Sequence, residues 1–290
     1  MNERTLRKSS GFDALADDLA RFSAELMSMP DHNFLDNFQD RPLAEVGGKA
    51  LWTKELDRCL AEGRTDLSVH SMKDVETIRP EAFLIAAMPP RADARDRLIG
   101  AETLDAVPEG ARVGTSSPRR TAQLLARRPD LRCLPIRGNV QTRLARVESG
   151  EFDATLLAAA GLDRLGIAAG APLDLLPAPA QGAIGVEILV ENEALRETLA
   201  AIDHRSTHAC VGAERDFLFR LGGDCSSAVA ARAGHSGDEM WLEAEILMPD
   251  GSEVQRHQLD LYGQDCALPS DVARILLGRA SPALRAMFAG

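Results

Sequence analysis

Arg112-Val113-Gly114-Thr115-Ser116-Ser117-Pro118-Arg119-Arg120 reads as the end of a strand running into the start of a helix. Val113 and Gly114 close a short strand. Ser117 is a good N-cap, and Pro118 suits the first helical position, where an N–H would have no partner anyway. Thr121 to Ala126 continue the helix. Three hydroxyls, several unpaired backbone donors and two guanidinium groups therefore meet at one helix start. The helix dipole and the donors favour an anion there, and the guanidinium forks match carboxylates. The plainer reading is a well-capped helix with exposed arginines. Sequence alone leaves both open.

Downstream the pattern repeats. Leu131 to Ile136 predicts a strand, and Arg137-Gly138-Asn139 turns into a helix carrying Arg143. Thr155 to Ala158 predicts a third strand, followed by Gly161-Leu162-Asp163-Arg164-Leu165-Gly166. Each strand end delivers an arginine. Such alternation predicts a doubly wound α/β fold with a parallel sheet. In such folds ligands gather beyond the carboxyl ends of the strands.

Upstream, Asp66-Leu67-Ser68-Val69-His70-Ser71-Met72-Lys73-Asp74-Val75 predicts another strand. Leu67 and Val69 alternate with polar neighbours, as in a half-buried strand. It runs out in Ser71, Lys73 and Asp74. A lysine beside an aspartate there can hold an anion and move protons; as a solvated surface pair it would contribute little. Glu45-Val46-Gly47-Gly48-Lys49 is a glycine-rich turn into a helix from Ala50 to Leu60, and Lys49 adds charge to its free N–H groups. Earlier still, Phe12 to Met27 predicts an amphipathic helix broken at Pro30-Asp31-His32-Asn33, with no strand ahead of it.

Pro89-Pro90-Arg91 marks a passage into a second domain, and Leu176 to Gly182, rich in Pro and Gly, a return. An apolar run from Ala183 to Ile188 and a helix from Glu191 to Ile202 follow. The last domain opens near Arg205. A helix from Glu214 ends at Gly222-Gly223, and Gly223-Asp224-Cys225-Ser226-Ser227 puts a thiol on a glycine-rich loop. Trp241 to Leu247 predicts a strand, Pro249-Asp250-Gly251 a turn into a second, and a closing helix starts near Asp271. The expected domains are 1–90 with 183–204, 91–182, and 205–290.

The chain has 290 residues and a formal net charge of −11. That charge argues against nucleic acid or an anionic membrane as partner. No apolar run reaches membrane-spanning length. The polar start Met1-Asn2-Glu3-Arg4-Thr5 leads into no signal core, so a cytoplasmic protein is expected. The five cysteines include no Cys-x-x-Cys pair, so neither a metal site nor a disulfide framework is expected. Cys59, Cys133 and Cys210 read as packing residues. An acidic protein that concentrates arginine at a few turns suits a compact anionic ligand.

His70-Ser71-Met72-Lys73-Asp74-Val75 resembles the signature of the hydroxymethylbilane synthase (porphobilinogen deaminase) family. The later motifs follow in that family's order and spacing, from about Arg41 to the C-terminus. The family's opening Arg-x-Ser-x-Leu turn and Thr-x-Gly-Asp loop are not matched; Arg7-Lys8-Ser9-Ser10 and Phe34-Leu35-Asp36-Asn37 stand nearest those places. The resemblance implies a monomeric cytoplasmic transferase. Its fold would be two doubly wound, periplasmic-binding-protein-like domains and a small α+β C-terminal domain. It implies a dipyrromethane cofactor joined to Cys225 by a thioether, with Lys73, Ser117, Arg119 and Arg120 on its carboxylates. It implies Asp74 as the catalytic group, stabilising the cation left when porphobilinogen loses ammonia. Lys49, Ser71, Arg137, Arg143, Arg164 and Gln181 would meet the substrate. Four additions followed by hydrolysis would release the linear tetrapyrrole of porphyrin and heme biosynthesis. A degenerate member with impaired turnover, and a non-catalytic two-domain anion-binding protein, remain alternatives.

Overall fold

The computed structural model describes residues 48–223, 227–261 and 267–288. The helix expected over Phe12–Met27, the first turn motifs, Cys225 and the side chain of Lys49 lie outside that description. In chain order the elements are α1 (Gly48–Ala61), β1 (Ser68–Ser71), β2 (Phe83–Ala87), β3 (Asp96–Ile99), β4 (Arg112–Gly114), α2 (Pro118–Arg127), β5 (Arg132–Leu134), α3 (Val140–Glu148), β6 (Ala154–Ala158), α4 (Ala159–Arg164) and β7 (Ala171–Leu173). They continue with β8 (Ile184–Leu189), α5 (Glu193–Leu199), α6 (Arg205–Leu221), β9 (Val229–Ser236), β10 (Glu239–Leu247), β11 (Val254–Leu261), α7 (Pro269–Arg279) and α8 (Pro282–Ala286).

Neighbouring residues of β3 bury into different cores. Leu98 packs with Val113, Leu124 and Leu156, whereas Ile99 packs with Leu157 and Leu162 against Val140 and Leu144. Successive side chains leave a strand on opposite faces, so this sheet is covered on both. Its order is β5-β4-β6-β3-β7. From β4 the chain steps outward through α2 to β5, then back past β4 through α3 to β6. Right-handed crossovers taken in opposite directions put α2 and α3 on opposite faces, which is the doubly wound arrangement. The expected parallel pairing holds for β5-β4-β6; β3 runs antiparallel to β6 and β7. The physical reason is connectivity: β3 enters straight from β2 of another sheet, without a crossover helix.

That other sheet has the order β1-β8-β2, with β8 antiparallel to both neighbours. Leu67 and Val69 do face a core, with Ile188, Leu199 and Ile202. The half-buried expectation is corrected on the other face, where Ser68 and His70 are also buried. His70 is tolerated there because it is bonded, whereas the buried Ser68 hydroxyl has no partner among the described residues. His70 Nε2 lies 2.8 Å from Glu187 Oε2, and Arg79 Nε donates to Glu187 Oε1 at 2.8 Å and also pairs with Asp57.

Two passages join these sheets, near residues 88–95 and 177–183. They touch where Ala92 N donates to Gly182 O at 3.2 Å. Gly182 has φ +86°, and a Cβ there would stand 2.7 Å from Ala92 O. The third sheet is an antiparallel meander, β11-β10-β9, with α6 and α7 on one face around Phe217, Leu242, Ile246 and Leu276. Among the described residues no helix is long and apolar enough to cross a membrane.

Candidate active site

Because β5, β4 and β6 are parallel, their carboxyl ends open along one edge, with β4 in the middle. Thr115 to Ser117 follow β4, Arg137 and α3 with Arg143 follow β5, and α4 with Arg164 follows β6. Ser117 caps α2 as expected, its Oγ accepting from Arg120 N at 3.4 Å, and Asn139 caps α3 by accepting from Thr142 N at 2.9 Å. The three hydroxyls shape the turns: Thr115 Oγ1 accepts from Ser117 N at 3.1 Å, and Ser116 Oγ donates to Ile136 O at 2.8 Å. That second bond ties the β4 turn to the β5 turn.

Arg119 and Arg120 are not exposed, which corrects the plainer reading of this helix start. They turn inward onto Asp96, a buried residue of β3. Arg119 Nη1 donates to Asp96 Oδ2 at 2.6 Å and Arg120 Nη2 to Oδ1 at 2.7 Å. Gln181 joins them, donating to Asp96 Oδ1 at 2.8 Å and accepting from Arg119 at 3.3 Å. Burial alone would raise the Asp96 carboxyl, but the two guanidinium groups outweigh it and hold it well below the usual carboxylate range. The Nε atoms of both arginines are buried without a partner among the described residues.

Arg143 and Arg164 bond to backbone carbonyls: Arg143 Nε to Gly138 O at 2.9 Å, Arg164 Nη2 to Gly182 O at 3.1 Å. Burial presses both guanidinium groups down, and Arg120 adds repulsion at Arg143. Asp96 and, through Gln123, Glu245 supply negative charge nearby. Positive groups outnumber them along this edge.

The returning passage brings the other sheet to it. Gln181 contacts Arg119, Gly182 O accepts from Arg164, and Ala183 O accepts from Met72 N at 3.1 Å. Three consecutive residues thus touch the arginine edge and the turn that follows β1. That turn, Met72–Asp74, is a single 3₁₀ turn with Lys73 and Asp74 part-exposed. Ser71 is the last residue of β1, paired with Ile184.

Two further residues were not singled out by sequence reading. Glu214 of α6 is fully buried and accepts from Arg91 at 2.5 and 3.0 Å, from Ala180 N at 2.6 Å and from Ala233 N at 2.7 Å. Arg215 beside it donates to Val75 O at 3.1 Å, Glu76 O at 2.6 Å and Thr77 O at 3.2 Å, and reaches Met72 O at 3.5 Å. Burial, with repulsion from Arg79, pushes the Arg215 guanidinium down to about 10. The available signal was three successive charged residues, Glu214, Arg215 and Asp216, between the apolar Cys210, Val211 and Ala213 and Phe217. Burial pushes the Cys133 thiol up to about 11 and the Cys210 thiol up as well, so neither is an activated nucleophile.

Two family models match the chain. One, described as porphobilinogen deaminase, dipyromethane cofactor binding domain, covers residues 12–197. The other, porphobilinogen deaminase, C-terminal domain, covers residues 208–277. The first match starts ahead of Arg41, which corrects where the similarity begins: two short turn motifs were too narrow a test of the opening segment. The chain is 51% identical to the porphobilinogen deaminase of Sphingopyxis alaskensis over 266 residues, 88% of this chain and 83% of that one. It is 47% identical to the Paracoccus denitrificans protein of the same name, over 84% of this chain and 81% of that one. Among solved structures, the Bordetella pertussis BvgS periplasmic VFT2 domain matches at a TM-score of 0.32 and 16% identity, over 54% of this chain and 70% of that one.

Proposed function

Because this chain belongs to the porphobilinogen deaminase family, we propose that Asp74 is the acid–base group of its hydroxymethylbilane synthase reaction and that the arginine edge binds the carboxylates. The protein is a transferase of tetrapyrrole and heme biosynthesis with a dipyrromethane cofactor. Membership sets aside the reading as an unrelated anion-binding protein.

The observation that carries the site assignment is the set of guanidinium groups at three adjacent strand ends. Arg143 and Arg164 end on carbonyls, and Arg119 and Arg120 keep partnerless buried Nε atoms. Each pyrrole unit bears an acetate and a propionate, so a donor set this rich in positive charge fits the cofactor and its extended chain. When bound, the dipyrromethane supplies the free pyrrole end to which four porphobilinogen units are added, each with loss of ammonia.

In this proposal Cys225 supplies the thioether sulfur. Lys73, Ser117, Arg119 and Arg120 hold cofactor carboxylates, with Ser117 doing so from a helix start. Lys49, Ser71, Arg137, Arg143, Arg164 and Gln181 orient the incoming substrate. Asp74 stabilises the cation left on the substrate as ammonia departs, and takes up the proton displaced from the pyrrole ring. The return of β8 into the sheet of β1 and β2 supports the domain division 1–90 with 183–204, 91–182, and 205–290. The acidic charge and the free thiols of Cys59, Cys133 and Cys210 among the described residues support a cytoplasmic monomer acting on small molecules.

The test joins mass and rate. Intact mass of the purified protein is expected to exceed the chain by two linked pyrrole units, and Cys225→Ser to lack the excess. Asp74→Ala is expected to stay folded and lose at least ~100-fold in turnover. No excess mass even after incubation with porphobilinogen would count against the cofactor assignment. Near-normal turnover of Asp74→Ala would remove it from the mechanism.

A further inference from the structure

The turn that carries Asp74 is short and is braced from outside. Its backbone bond from Val75 N to Met72 O is long at 3.4 Å, and three 3₁₀ residues are few to set a stable geometry. What fixes it comes from α6. Arg215 donates to the carbonyls of Val75, Glu76 and Thr77 and reaches that of Met72, so its guanidinium brackets Asp74 from both sides in sequence. One helical turn earlier Val211 packs with Met72 and Val75, the apolar half of the same contact. The turn's other anchor, Ala183 O, also leads to α6, because Glu214 holds Ala180 of that passage.

We propose that Arg215 is a positioning residue for Asp74, setting the attitude of the catalytic turn by holding its carbonyls. This rests on the assignment of Asp74 above. The arginines assigned to carboxylates follow β4, β5 and β6 in a different sheet, and Arg215 bonds to none of them in the contacts described. Its loss is therefore expected to act through the turn of Lys73 and Asp74, on the chemical step more than on capture by the arginine edge. The same helix ends at Leu221, four positions before Cys225 in the sequence. One helix thus carries the support of the catalytic turn and precedes Cys225 closely in the sequence.

The experiment uses the full-length holoenzyme with porphobilinogen as substrate. Arg215→Met and Arg215→Lys are expected to keep the two-pyrrole mass excess and a KM within about twofold, while kcat falls ~10–100-fold, the scale of a small misplacement. Lysine keeps the charge but not the fork, so it should not rescue. Should Arg215→Met fail to fold, Arg215→Lys carries the test. A merely structural role would lower the thermal midpoint and leave kcat per folded molecule unchanged, and that result overturns the proposal.

A double-mutant cycle supplies the second readout. In an Asp74→Glu background, Arg215→Met should cost less than about twofold more, because both changes act through one carboxylate. Full multiplicative loss would show independent action and overturn it. Normal kcat in both Arg215 variants with Asp74→Ala inactive defeats the positioning role alone. Near-normal Asp74→Ala defeats the underlying assignment.

Discussion

Asp96 shows how a single residue decides the state of its neighbours. It meets Arg119 and Arg120 in a site closed to water, and its carboxyl pKa is depressed although burial alone would raise it. A depressed carboxyl contributes its stability in full above the unfolded value of about 3.9 and loses it as pH falls further. Urea unfolding of the wild type should therefore weaken below about pH 4. Asp96→Asn should flatten that dependence and cost ~3–5 kcal/mol at neutral pH, because two buried guanidinium groups are left without their anion. An unchanged acid dependence in Asp96→Asn would locate it elsewhere. At this scale the sequence was legible where chemistry is local. Ser117 as a cap, and the run of arginines at strand ends, could be read from spacing. The partnerships Asp96 with Arg119 and Arg120, His70 with Glu187 and Arg91 with Glu214 could not, since the chain separation of the partners leaves no spacing to read.

Among the elements, the passage at Gly182 is the tightest point. A side chain there meets both a left-handed backbone angle and the carbonyl of Ala92 at 2.7 Å. Gly63 offers a control, with φ +66° and open space around it. Gly63→Ala should cost ~1 kcal/mol from backbone strain alone, and Gly182→Ala at least ~2 kcal/mol, in denaturant midpoints at constant slope. Equal losses would show that the passages do not constrain each other. The elements that were legible carry strong local signals: α2 and α3 with their caps, β6 with its apolar run, and β10 with its alternation. β3, β7 and β9 were missed for physical reasons. β3 is short and opens with Asp96 and Arg97; β7 contains Pro172, as suits an edge strand; β9 is built of Ala, Gly, Arg and His, and is set by packing under α6, not by propensity.

For the molecule as a whole, Glu214 is the common fastening. Its two oxygens serve Arg91 in the first passage, Ala180 in the second and Ala233 in the third sheet. Glu214→Gln should cost ~3–5 kcal/mol, since it removes the anion facing Arg91 and turns an amide N–H toward a backbone N–H. Differential scanning calorimetry is expected to show one transition for the wild type and a broader or split one for the variant, as the sheets lose their shared anchor. A sharp, unshifted transition would remove Glu214 from that role.

The order of the strands also has a meaning on the ribosome. β3 to β7 emerge consecutively, so their sheet can be completed as it is made. β8, the strand on which β1 and β2 both pair, follows β2 only after the whole of that sheet. With translation at 5–20 residues per second, a gap of roughly 100 residues leaves β1 and β2 waiting on the order of 5–20 s with open edges. The nascent chain therefore completes its arginine-bearing half first, and the turn of Asp74 is locked only when the chain comes back.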